Sequence, residues 1–97
     1  MTIRTLLALP ALALIAGPAL ASSDAAWDEF RDEVEKTCAA LVTDPGEVAV
    51  EVNPFGSASY GAALVTLTTP QGSDRMICVF DKQTKAAELT APFPPTE

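Results

Sequence analysis

Two cysteines are the side chains in this sequence best suited to covalent chemistry: Cys38 in "EKTCAALV" and Cys78 in "RMICVFD". Three chemistries fit a thiol: a reactive nucleophile, a metal ligand or half of a bridge. The two stand forty residues apart, which is unlike the CxxC spacing of a thioredoxin-type redox pair. The chain has no histidine. That removes Ser-His-Asp and Cys-His nucleophile systems, and two isolated thiols cannot complete a four-ligand zinc site. With an even count and one pairing available, the reading is a structural disulfide between Cys38 and Cys78. Over a loop of this length it stabilises the fold by roughly 4 kcal/mol in the chain-entropy model.

Carboxylates are plentiful, but their spacing does not make a catalytic pair. Glu29 and Glu33 lie one helical turn apart on a polar face, where a solvated surface is expected. Asp81-Lys82 is an adjacent acid and amine in a turn rich in solvated charge. Neither "TDPGEVAVE" nor any other stretch has the ligand spacing of a calcium loop, and there is no GxxxxGK[ST] or GxGxxG phosphate loop. No cofactor is expected. The stretch with texture for recognition is "NPFGSASYG", which sets Phe55 and Tyr60 around small residues between two strands. Aromatic side chains on a loop held by a rigid scaffold suit protein contact.

The first residues give the compartment. "MTIRTLLALPALALIAGPALASSD" has one early cation, Arg4, an apolar run from Leu6 to Ala16, a Gly17-Pro18 break and an Ala19-Leu20-Ala21 site. Those are the parts of a cleavable secretory signal over residues 1–21, with Ser22 as the new first residue. The run is too short and too interrupted for a spanning helix of roughly 20 apolar residues, so no stable membrane insertion is expected after cleavage. The destination is the bacterial periplasm or the medium, an oxidising space that favours the disulfide.

What remains is one small domain over residues 22–90 and a Pro-rich, flexible tail over 91–97. Losing Arg4 takes the net charge from −7 to −8. A chain this acidic is not a nucleic-acid or anionic-lipid binder, and its charge keeps a small secreted domain soluble.

The elements that position these residues can be read in order. "SSDAAWDEFRDEVEKTCAALV" predicts a helix capped by Ser22, Ser23 or Asp24. Trp27, Phe30, Val34, Cys38 and Leu41 form one apolar stripe, and Asp32 and Lys36 stand at i,i+4 on the other face. Pro45-Gly46 ends it. "EVAVEVN" alternates as a strand with one buried face; "YGAALVTLTT" is apolar on both parities and reads as a central strand. "PQGSD" is a turn and "RMICVFD" the third strand; "AAELTA" adds a short fourth, and "PFPPTE" is expected not to join a ladder. The fold class is α+β: one N-terminal helix on a three- to four-stranded antiparallel meander, with one disulfide.

A bridge to Cys38 turns Met76, Cys78 and Phe80 toward the helix, and Ile77 and Val79 away from it. Val65 and Leu67 are expected on that second face too. One helix covers one face, so these residues call for the tail, a second copy of the chain or a partner protein. The function expected is therefore a non-catalytic binding or accessory protein of the envelope, touching its partner through Phe55, Tyr60, Ile77 and Val79. The alternative is an inhibitor of a basic secreted hydrolase such as a lysozyme. An enzyme built on carboxylates or Tyr60 is disfavoured.

Overall fold

A computed structural model describes residues 23–95, so the signal over residues 1–21 lies outside the described residues. Helix α1 runs from Asp24 to Ala40. Of the three candidate caps, Ser23 does the work: its hydroxyl accepts the Ala26 amide at 3.0 Å, satisfying one of the first-turn donors that a helix leaves free. Asp24 adds a negative charge beside the positive end of the helix dipole. The helix closes in a tight turn, with Leu41 donating to the Cys38 carbonyl and Val42 to that of Ala39. Gly46 follows with φ +147, where an added Cβ would stand 2.7 Å from the Thr68 carbonyl oxygen.

Four strands follow: β1 (Glu47–Val52), β2 (Tyr60–Thr69), β3 (Gly72–Asp81) and β4 (Ala87–Leu89). They form one antiparallel sheet in the order β1-β2-β3-β4. The third strand starts earlier than its apolar run, because Thr69 pairs directly with Gly72 across Pro70-Gln71. Ser73 and Asp74 are carried into the ladder by that hairpin rather than by their own strand preference.

Helix α1 meets all four strands from one side. The core between them is Val34 and Cys38 from the helix, with Ala63, Val65, Leu67, Met76, Cys78 and Phe80 from the sheet. The Cys38–Cys78 disulfide joins the two layers at its centre, with both cysteines fully buried and their Cα atoms 5.9 Å apart. Above it, α1 comes close enough that Gly61 has no room for a side chain: an added Cβ would stand 2.9 Å from Phe30 Cζ.

The register corrects the expected face of two residues. Ala63 stands opposite Cys78 and Val65 opposite Met76, and directly opposed residues share a face. Val65 and Leu67 are therefore core residues under the helix, not part of the outer face. Their places on the outer face are taken by Ala62 and Leu64, which oppose Val79 and Ile77.

Residues 91–95 form no strand, yet the tail is tied down at one point. Past β4 the chain stays beside β3, and the Phe93 amide donates to the Arg75 carbonyl at 2.8 Å. Thr90 makes this continuation irregular. Its amide donates to the Ile77 carbonyl, while its Oγ1, in place of a main-chain oxygen, accepts the Ile77 amide at 3.0 Å. Thr90 and Phe93 are three residues apart but bond to residues two apart, the count of a β-bulge. Pro92 and Pro94 flank the single bonded amide, at positions where a strand needs no inward N–H.

Candidate functional site

Neighbouring residues along a strand take opposite faces, so the pairing places the far side of the sheet without ambiguity. Tyr60, Ala62 and Leu64 on β2 stand opposite Asp81, Val79 and Ile77 on β3. Together the apolar members make a strip across the two central strands. α1 packs on the other side, so neither helix nor core covers the strip: Tyr60 is 48% exposed and Val79 39%, while Ala62, Leu64 and Ile77 are half-buried. The tail keeps to the β3 edge and leaves Val79 open.

The strip has an acidic surround. Glu51 opposes Leu64 on the β1 side, with Glu47 two steps along the same face, and Glu88 opposes Val79 on the β4 side. Asp81 closes the Tyr60 end. Tyr60, Val79, Asp81 and Glu88 line one shallow depression. Arg75, opposite Thr66, is the basic residue of this face. The Asp81 carboxyl is held below its ordinary value of 3.8 by hydrogen bonds from the Thr84 and Gln83 amides. These bonds measure 3.0 and 2.8 Å to Oδ1, so Asp81 stays charged while it closes the β3–β4 turn.

Of the four residues expected to meet a partner, the fold brings three together and removes one. Tyr60, Ile77 and Val79 share the far face, whereas Phe55 lies on the helix side. The loop between them is firmly held. Asn53 Oδ1 accepts the Phe55 and Gly56 amides, and Gly56 turns the chain at φ +68, where an added Cβ would stand 2.2 Å from the Tyr60 carbonyl oxygen. Phe55 then packs edge-on against Trp27 at 4.9 Å, although it remains 55% exposed.

Two cations, Lys82 and Arg31, fix that arrangement. Lys82 Nζ lies 5.2 Å from the Trp27 ring centre and 5.0 Å from that of Phe30, and donates to the Phe55 and Ser57 carbonyls. Arg31 stands 5.8 Å over the Phe55 ring and donates to the Pro54 carbonyl and to Asp28. Both bind the loop to the first turns of α1 by contacts that join distant parts of the chain. The ion pairs formed among the described residues are Arg31–Asp28 and Lys85–Glu33, rather than the Asp32–Lys36 pair the helix spacing suggested.

Among the described residues no group of three or more acidic or cysteine side chains is placed to hold a metal ion. No helix among them is long and apolar enough to cross a membrane. No protein-family model matches the chain, nor does any curated protein or solved structure.

Proposed function

We propose that this protein is an exported, non-catalytic binding module of the bacterial envelope that holds a basic protein partner on the uncovered face of its sheet. The observation that carries the proposal is the strip of Tyr60, Leu64, Ile77 and Val79 inside a surround of Glu51, Asp81 and Glu88, with Glu47 farther along and Arg75 the basic residue of the same face. An apolar centre with a charged rim is the anatomy of a protein interface. The sign of the rim selects a partner rich in Lys and Arg, and disfavours a second copy of this chain, whose rim repels its own kind.

Export to the periplasm or the medium is supported by the leader pattern over residues 1–21 together with the buried disulfide. Binding rather than catalysis is supported by the lack of histidine throughout the sequence. It is also supported by the employment of Asp81 and Lys82 in structural hydrogen bonds. The acidic rim favours one narrower form of the reading, an inhibitor that blocks a basic secreted hydrolase such as a lysozyme.

The test is a comparison of the oxidised protein with its Ile77→Thr/Val79→Thr double variant. Threonine keeps the branched shape and strand preference, so the fold survives while the strip becomes polar. The parent is expected to retain basic envelope proteins in a salt-sensitive manner, and the variant to release them. A basic lysozyme assayed for inhibition checks the narrower form. If the variant retains the same proteins as the parent, or if the parent forms a dimer that buries Val79, the reading fails.

A further inference from the structure

The two edges of the sheet are finished differently. Along the outer side of β3, β4 is three residues long, ends in the Thr90 bulge and gives way to Pro92 and Pro94. Those are the devices by which a sheet refuses another strand. The β1 edge has none of them: "EVAVEV" contains no proline, glycine or lysine and pairs with β2 without a bulge. The Asn53 amide donates to the Ala62 carbonyl at 2.8 Å, which fixes the alternation. In an antiparallel ladder every second pair exchanges hydrogen bonds, so Glu51, Ala49 and Glu47 bond inward to β2. The amides and carbonyls of Val48, Val50 and Val52 consequently point outward along an edge that no other described strand pairs with.

We infer that this edge takes up an extended segment of a partner with Lys or Arg at every second position and apolar residues between. The main chain of Val48, Val50 and Val52 supplies the ladder, and the side chains of β1 supply the choice. Glu47 and Glu51 lie two steps apart on one face of the strand. Residues of an added strand on that face stand about 4.5–5.5 Å from them, where opposite charges attract and like charges repel. Apolar residues of the other parity prolong the row of Val48, Val50 and Val52, the first of which is 38% exposed. A second copy of β1 is the wrong occupant. Its antiparallel registers set Glu47 or Glu51 directly opposite or diagonal to the same residues of the other copy. The inference rests on the reading of the protein as a module for basic partners, and adds a main-chain contact outside the apolar strip.

Amide exchange of the oxidised protein, followed by NMR, tests it with a soluble decapeptide that alternates Lys and Val and a control with Glu for Lys. The lysine peptide is expected to slow exchange of the Val48, Val50 and Val52 amides about tenfold or more, the loss of access that one new hydrogen bond per amide produces. The glutamate peptide leaves them unchanged, and a Glu47→Lys/Glu51→Lys variant reverses the preference. Val50→Pro deletes an amide that the fold itself does not use and weakens lysine-peptide binding. Valine amides that ignore the lysine peptide overturn the inference, as does protection that grows with protein concentration in the absence of peptide. Shifts at Tyr60, Leu64, Ile77 and Val79 with unprotected valine amides place the basic peptide on the strip, which refutes the edge and leaves the binding reading standing. Silence at both places removes both.

Discussion

Lys82 and Trp27 belong to opposite layers, yet the Lys82 ammonium sits 5.2 Å from the centre of the Trp27 ring while it donates to two carbonyls of the loop beneath. One cation thus ties the start of α1, the loop after β1 and the end of β3. Lys82→Met keeps the length and removes the charge. It is expected to lower stability by about 2–3 kcal/mol, the scale of an exposed cation–π contact plus hydrogen bonds to a charged group. Urea unfolding measures the loss, and a change in Trp27 fluorescence reports the ring's altered surroundings.

Gly61 is expected to resist even the smallest side chain. Its missing Cβ would stand 2.9 Å from Phe30 Cζ and 3.1 Å from Val34 Cγ2. Gly61→Ala should cost about 1–3 kcal/mol through overpacking between helix and sheet. Combining it with Phe30→Leu should cost less than the sum of the single changes. Strict additivity in that cycle would show that the crowding is not what makes the glycine necessary.

Reducing the Cys38–Cys78 bond, or changing Cys38→Ala, is expected to cost about 2–5 kcal/mol. The bond has buried cysteines at both ends and ties α1 to a central strand, so its loss frees the layers to separate. Thermal melts with and without reductant measure the effect, and alkylation of the unreduced protein should find no free thiol.

Acid should reveal Asp81. Hydrogen bonds from Thr84 and Gln83 depress its folded-state value below the ordinary 3.8. A depressed carboxyl contributes stability that is fully present above the unfolded value and disappears as pH falls through the folded one. The stability gap between the parent and Asp81→Asn should stay constant from neutrality down toward pH 5 and close below 3.8. A gap that persists at pH 2 would assign the effect to geometry rather than to charge.

The helix and its apolar stripe were legible because each rests on short-range spacing, and the partnership of its one cysteine with the third strand because two cysteines allow one pairing. The face of β2 was not. "YGAALVTLTT" is apolar on both parities, so only the pairing of Ala63 with Cys78 decides that Val65 and Leu67 lie inside and Ala62 and Leu64 outside. The separation of Phe55 from Tyr60 was hidden for a similar reason: the loop over residues 53–59 carries Phe55 to the helix side, while Tyr60, the first residue of β2, takes the far face. Lys82 and Arg31 gave no signal, because their partners are brought near only by the completed fold. For the tail, the spacing Pro92-Phe93-Pro94 held a usable sign. Alternate prolines leave the amide between them free to bond inward.

The Pro-flanked tail also limits how many molecules can gather through the sheet. Polymer growth by edge pairing needs two reactive ends on each unit, as a bead needs two holes to be strung. Here the β1 side offers one, and the tail beside β3 has already filled the other with a segment that cannot pass the ladder on. Each molecule is therefore monovalent in strand pairing. Contact through that edge stops at a one-to-one complex, so β1 can remain an edge strand without seeding fibres.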